Sequence, residues 1–599
     1  MPTLRTSSPI PAPRTTSQRR RMASLSAAVI AGALLLTSCS QVRAEPLTET
    51  AGDGKAVTAQ RADSSVPQTT GRDSERPFVN RTPNGPGDGP DAQIEAPALP
   101  DRRPNVVLIT TDDQADTDLA FMPLTLELLV EEGVHATNFI NPHPVCCPAR
   151  AEILSGEYAQ NNGVQHNSGP WGGWGAYAGH ERNLTGNVGS WLHSSGYSTA
   201  FVGKMLNGYG ATIGKSGRQI QGWDHWNPTT RGTYNFYDTE FYNDGNPVDH
   251  DEYVADVVTD YARGYIDEFT SGENADRPFF IWASHVGPHG ATVAKKTWVP
   301  PIPARRHEDM FTSEKPRSFG KPSFNESDVS DKASYTAKQK PTTKKRARFV
   351  HQRRLQSLQA IDESNAALIQ ALADAGELEN TIVMFTSDNG FFLGEHRFLK
   401  KNYPYEENLQ IPFAVRGPGL PAGTRTAEQL TMVDLTPTIL ARAGVLGAVR
   451  ASGRTDGIDM WPVLRGEEKV NSTQLIQAGQ TKKKVLKAGG WLFRGVHTGR
   501  YTYAWWYNGD EELFDNKLDP YQLDSKHDDR AYRPVLREMR KRYRMLEDCR
   551  GVQECEHQKF GPQPKPKKAA LQRARGDQQR PAARRASLRG DWHYEHRVY

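Results

Sequence analysis

Four continuous apolar runs organise the chain: NVVLIT (Asn105–Thr110), STAFVG (Ser198–Gly203), FFIWAS (Phe279–Ser284) and TIVMFT (Thr381–Thr386). None alternates polar with apolar, so each predicts a strand covered on both faces, as in a parallel sheet. Between them apolar residues recur at helical spacing. In YVADVVTDYARGYIDEF they fall at Val254, Val257, Val258, Tyr261, Tyr265 and Phe269. LQSLQAIDESNAALIQALADAGE predicts a second amphipathic helix, stopped at Gly376. Strands alternating with helices predict an α/β fold: a large, mostly parallel, mixed sheet flanked by helices, over residues 102–449. After Val449 short runs such as WLFRGVHTGRYTYAWW read as antiparallel strands of a smaller C-terminal α+β subdomain, residues 450–556. Residues 302–348 are polar, basic and rich in Ser, Lys and Pro. They read as an insertion, for which a lid and a solvated loop without a role both fit.

The ends of the chain read differently. Arg19, Arg20 and Arg21 precede an apolar run, Leu25 to Leu36, too short to span a bilayer, and the run ends at Leu36-Thr37-Ser38-Cys39. That order predicts a secretory signal over 1–38. Its terminal Cys39 stands where a bacterial lipoprotein carries its lipid, which predicts export and a membrane partner through that lipid; plain secretion with an incidental cysteine is the alternative. Residues 39–101, rich in Pro, Gly, Asp, Ser and Thr, predict a disordered tether. Residues 557–599 carry a charge of +8 and read as a basic disordered tail. With +5 at residues 1–38 and +4 in all, residues 39–556 carry −9, so nucleic acid is not an indicated partner. In an exported chain Cys549 and Cys555 suit a short disulfide.

Each central run ends in reactive polar residues: Asp112 and Asp113, then Lys204, then His285 and His289, then Asp388 and Asn389. Ligands of open α/β sheets bind outside the carboxyl ends of strands, so these clusters should converge. Asp112, Asp113, Asp388 and Asn389 offer oxygen ligands for a hard cation, Ca2+ or Mg2+. Lys204, His289, Arg150 and Lys401 add positive charge and donors. Metal oxygens ringed by cations suit an anionic tetrahedral group, and phosphate and sulfate esters both fit. In HPVCCPARAEILSG, Pro148 suits the first turn of a helix that runs to Gly156. Cys146 then lies just before an anion-favouring helix N-terminus, beside Arg150.

Cys146-Cys147-Pro148-Ala149-Arg150, continuing AEILSG, resembles the C-x-P-x-R signature of the type I sulfatases, in the alkaline phosphatase superfamily. RPNVVLITTDDQ, TSDNGFFLGEHR, KNYPYEENLQIPF and VDLTPTIL resemble other motifs of that family in its order, and GKMLNGY and GWDHWNP are most similar to N-acetylglucosamine-6-sulfatases. The resemblance spans roughly Arg103 to Cys555. It implies that a formylglycine-generating enzyme oxidises Cys146 to formylglycine. Asp112, Asp113, Asp388 and Asn389 would bind calcium together with residue 146. Arg150 would hold the hydrate oxygen, Lys204, His289 and Lys401 would grip the sulfate, and His289 or a lysine would protonate the leaving group. One hydroxyl of the aldehyde hydrate would attack sulfur, and deprotonation of the other would expel sulfate. Cys147 would be a packing residue.

The chain departs from the pattern twice. Leu206 stands where many members carry histidine, which leaves Asn207 or His166 to make that contact, and Ala149 replaces a Ser or Thr. His193, His225 and His285 read as structural; Lys401 is preferred to Lys400 by its spacing from Tyr405-Glu406-Glu407; Glu395 and His396 read as supports of the metal loop. A sulfated carbohydrate is the expected substrate and an aryl sulfate its surrogate. The rivals are a phosphomonoester or phosphonate hydrolase of the same superfamily and a lipoprotein that binds sulfated glycans without turnover.

Overall fold

The computed structural model describes residues 102–212, 220–293, 297–470, 473–556 and 560–567. The signal segment, Cys39, the whole tether, and residues 557–559 and 568–599 of the tail lie outside the described residues. Eight strands form the main sheet: β1 (Asn105–Thr111), β2 (Val134–Ala136), β3 (Ser198–Gly203), β4 (His225–Pro228), β5 (Phe279–Ser284), β6 (Thr381–Ser387), β7 (Phe413–Arg416) and β8 (Thr424–Thr426). Their order is β8-β2-β7-β6-β1-β5-β3-β4. The four apolar runs are the adjacent strands β6, β1, β5 and β3, all parallel, and only β7 opposes its neighbours.

Burial on both faces explains the unbroken apolar runs. Val106 and Leu108 of β1 enter one core with Ile153 and Leu154 of α1 (Cys146–Ser155). Val107 and Ile109 enter the other, with Val258 of α2 (Val254–Phe269) and Leu358 and Ile361 of α3 (Lys344–Asp374). The C-terminal strands β9 (Gln474–Gly479), β10 (Trp491–His497), β11 (Tyr501–Trp506) and β12 (Glu511–Asp515) form an antiparallel meander under α4 (Arg533–Leu546). Cys549 and Cys555 are disulfide-bonded. Among the described residues no helix is long and apolar enough to cross a membrane.

Two expectations change. The helix α1 begins at Cys146 itself, two residues before Pro148, so Cys146 is its first residue and not the residue before it. The helix α3 begins at Lys344, inside the segment read as an insertion, with the Thr343 hydroxyl accepting from Arg346 N–H at 3.1 Å. His351 and Arg354 are buried in its early turns and interrupt the apolar stripe that would have announced it. The preceding segment is a packed strap. Lys332 is buried between Glu326 (3.0 Å) and the Leu523 carbonyl (2.7 Å), and Ala333 N–H donates to Glu512 at 2.8 Å.

Candidate active site

Parallel neighbours end on one edge of a sheet, which is why β1, β3, β5 and β6 deliver their terminal residues to one place. Asp112 N–H donates to Gly287 O at 3.0 Å, and Asp388 N–H donates to Thr111 O at 3.1 Å. Asp113 takes a left-handed backbone (φ 70°), an uncommon state that asparagine and aspartate tolerate best. Its N–H donates to Asp388 Oδ1 at 3.1 Å, and its Oδ1 accepts from Asn389 Nδ2 at 2.7 Å. The four oxygen-bearing residues named from sequence thus meet in one buried pocket.

The cations meet there too. Lys204 Nζ pairs with Asp112, and Lys401 Nζ pairs with Asp113 and lies 2.6 Å from Cys146 Sγ. Arg150 sits in the second turn of α1. Its Nε donates to Asp388 Oδ2 at 2.9 Å and its Nη1 to Lys204 O at 2.8 Å and to Ser284, while Nη2 is buried without a protein partner. His289 Nε2 stands 3.8 Å from Asp113 Oδ2, and its Nδ1 lies 2.7 Å from Gly290 O, which orients the ring. Asp112, Asp113, Cys146 and His289 each bring a ligand atom within 4.8 Å of the others.

Three buried carboxylates face two buried cations, Lys204 and Arg150, and the half-buried Lys401, and the balance shapes the proton affinities. Burial alone would raise Asp112; Lys204, His289, Lys401 and Arg150 outweigh it and hold the carboxyl well below its usual range. Burial and the Asp112 charge push Asp388 up to about 6. Burial and Asp112 also push the Cys146 thiol up to about 12, so at neutral pH it is a thiol and a weak nucleophile. The pocket suits a divalent cation on the chemistry of its donors. Asp112, Asp113, Asp388 and Asn389 supply hard oxygens, and the Asp112 and Asp113 carboxylates already hold ammonium groups.

Sequence reasoning missed several neighbours. Asn167 Nδ2 lies 3.6 Å from Cys146 Sγ, and its Oδ1 accepts from Cys147 N–H at 2.8 Å. Asn141 Nδ2 donates to Asp388 O. Tyr234 stacks on His289, with centroids 4.4 Å apart, and Lys204 Nζ lies 5.2 Å from its ring centroid. No local motif marks these residues, because each is brought in by a loop. Leu206 is buried in the core, whereas Asn207 Oδ1 accepts from the Tyr234 hydroxyl at 2.9 Å and so reaches the site through that ring. His166 Nδ1 is buried without a protein partner. Cys147 is buried, and its Sγ accepts from Asn207 N–H at 3.2 Å. Lys400 lies against the Trp298 ring rather than Cys146. Glu395 pairs with Lys321 at 3.2 Å and His396 Nδ1 lies 2.8 Å from Glu326, so both tie the loop after β6 to the strap. His285 faces Ser364, His193 faces Asp224, and His225 lies between Asp244 and Glu268.

Comparisons with known proteins show the family. The sulfatase family model matches residues 104–445, and a model described as N-sulphoglucosamine sulphohydrolase, C-terminal, matches residues 394–549. The Sulf-1 homolog of Caenorhabditis elegans, named as an extracellular sulfatase, is 34% identical over 59% of this chain and 49% of its own length. The human N-acetylglucosamine-6-sulfatase is 29% identical over 61% of this chain and 65% of its own length. The chain thus spans about half to two thirds of these relatives. A protein solved with its substrate D-glucosamine-2-N,6-O-disulfate superposes with a TM-score of 0.59 at 22% identity, covering 74% of this chain and 96% of the other. At that identity the likeness concerns the fold.

Proposed function

The chain belongs to the sulfatase family, and from that premise we propose that it hydrolyses sulfate esters of a carbohydrate, with Cys146 matured to formylglycine. The observation that carries this reading is the placement of Cys146. It is the first residue of a buried helix, 3.4 Å from Asp112 Oδ1 and 2.6 Å from Lys401 Nζ. A thiol has little use there, whereas an oxygen nucleophile between a metal pocket and an ammonium group does. Formylglycine at this position supplies an aldehyde hydrate with two hydroxyls, and so a route to release sulfate that serine lacks.

Asp112, Asp113, Asp388 and Asn389 would hold calcium, with magnesium as the alternative. The bound cation would supply Lewis-acid stabilisation of oxygen charge. Lys204 and Lys401 balance the acids in the resting pocket and turn to the sulfate oxygens when substrate enters. Arg150, fixed by Asp388 and Lys204 O, keeps one buried N–H group for the oxygens of residue 146 or of the ester. The proton for the departing alcohol comes from His289 or Lys401, the donors that face the gap between Asp113 and Cys146. Maturation needs a formylglycine-generating enzyme, and the N-terminal segment implies export with a lipid on Cys39. A 6-O-sulfated glucosamine unit is the substrate we favour, on the likeness to N-acetylglucosamine-6-sulfatases.

The test uses protein made in its own host. The peptide containing Cys146 should have the mass of the aldehyde, and the protein should cleave an aryl sulfate faster than the matching aryl phosphate. Chelation should stop turnover and calcium restore it. A thiol at residue 146 in exported protein would move the glycan-binding reading ahead. A faster phosphate reaction would favour the phosphomonoester reading.

A further inference from the structure

The helix α4 rests Val535, Leu536, Met539, Tyr543 and Leu546 against the C-terminal sheet. At 3.6 residues per turn, Arg533, Arg537, Arg540, Lys541 and Arg544 fall on one arc of the other side, and no acid shares it. The two ion pairs within 4.0 Å that the helix side chains make, among the described residues, use Arg540 with Glu511 and the buried Arg542 with Glu538. Like charges three and four residues apart destabilise a helix, and a face that is merely solvated has no need of them. The surrounding residues 39–556 carry −9 overall, so this stripe is a local reversal of sign.

The stripe borders a concavity. A cleft of about 460 Å³ opens between α4 and β11, lined by Tyr503, Trp505 and Tyr543 with Arg540 and Arg544 at its basic side. Its two acids are Glu511 and Glu547. Glu511 is neutralised by Arg540 and accepts from the Tyr503 hydroxyl at 2.6 Å. Trp505 is 39% exposed, an unusual state for a ring that large beside an open cleft.

We infer that this face is a second binding site, sharing no residue with the Cys146 pocket, for an anionic polysaccharide. The Trp505 ring packs against a sugar face, and the arginine stripe pairs with sulfate groups on adjoining units. Guanidinium forks match the oxygens of a sulfate group, and four of the five cations are arginines. From Arg533 to Arg544 the stripe runs roughly 16 Å, longer than one sugar ring. A chain molecule can enter a concave aromatic cleft, which a flat lipid surface cannot fill. The inference rests on the sulfated-glycan reading above, and it would hold a polymeric substrate to the enzyme while one residue occupies the catalytic pocket.

The test compares full-length protein with the variant R533Q/R537Q/K541Q/R544Q and with Trp505→Ala, using heparin and fully desulfated heparin as probes. The basic tail is common to all three proteins and contributes the same background. Heparin affinity should fall tenfold or more in the quadruple variant, with a shallower salt dependence, and severalfold in Trp505→Ala. Aryl sulfate hydrolysis should be unchanged in both, and the melting temperature of the quadruple variant should not fall. Unchanged heparin affinity in the quadruple variant overturns the proposal. So does wild-type binding to phosphatidylglycerol vesicles without binding to heparin. If the wild type binds heparin through the stripe yet cleaves no sulfate, the hydrolase reading fails and the binding site stands.

Discussion

Arg150 shows how much one residue can carry. Its guanidinium is enclosed, its Nε holds Asp388, and its Nη1 holds the backbone that presents Lys204. Arg150→Met would leave Asp388 buried without its closest partner. Breaking a buried pair in this way costs roughly 3–5 kcal/mol, so a clear fall in melting temperature should accompany loss of turnover. Arg150→Lys keeps the charge and loses the fork, and turnover should stay low even where stability recovers. Asn167 is a subtler case. Its Oδ1 takes the Cys147 N–H in the first turn of α1, and its Nδ2 faces Cys146. Asn167→Ala should cost about 1 kcal/mol, typical of one hydrogen bond, while kcat falls at least tenfold with KM nearly unchanged. Denaturant melts and steady-state kinetics on one preparation would separate the two effects. Asp112, Asp113, Lys204, Asp388 and Asn389 were legible because each follows a strand; Asn167 sits in a loop that no local pattern marks.

At the scale of elements, the strap between β5 and α3 links the loop that carries Lys401 to the C-terminal sheet. Glu326 takes Lys332 and lies 2.8 Å from His396 Nδ1, while Lys321 reaches both Glu395 and Glu407. The loop that carries Lys401 is therefore pinned from the strap side. Glu326→Ala removes the nearest carboxylate of the buried Lys332 ammonium, leaving it Asp331 at 3.3 Å and the Leu523 carbonyl, and frees His396 Nδ1. Hydrogen exchange should rise in residues 388–405 and kcat should fall severalfold, with the main sheet still protected. Exchange confined to the strap would show that it does not hold the loop that carries Lys401. The polar composition hid this role, because the strap packs through ion pairs rather than an apolar stripe.

At the scale of the molecule, acids gather where α1 ends and the C-terminal segment returns. Burial raises Glu152 and Glu556 well above their usual values, Asp456 to about 7 and Asp434 to about 6. The folded chain then keeps protons that the unfolded chain releases at about pH 4. Stability from this cluster is therefore greatest below pH 4 and declines as pH rises through 6 and 7. Both Glu152 oxygens are buried without a protein partner. Glu152→Gln fills the same space and needs no proton. It should melt with the wild type at pH 4 and above it at pH 8. A variant that melts lower at pH 8 would show an ionised, stabilising Glu152 instead.

By itself the sequence determined what depends on neighbours along the chain. Continuous apolar runs marked the four central strands, because a strand buried on both faces has no polar side to show. The residues after each run marked the pocket, because parallel strands end on one edge. The signature around Cys146 marked the family, because it is written in five consecutive residues. Tertiary structure alone decided what depends on distant partners. It brought Asn167 and Tyr234 to the site, started α3 at Lys344 around a buried Arg354, and turned the polar insertion into a strap. It also set Trp505 beside the arginines of α4. These arrangements come from loops and long-range ion pairs, whose partners lie too far apart in the chain for any local period to record.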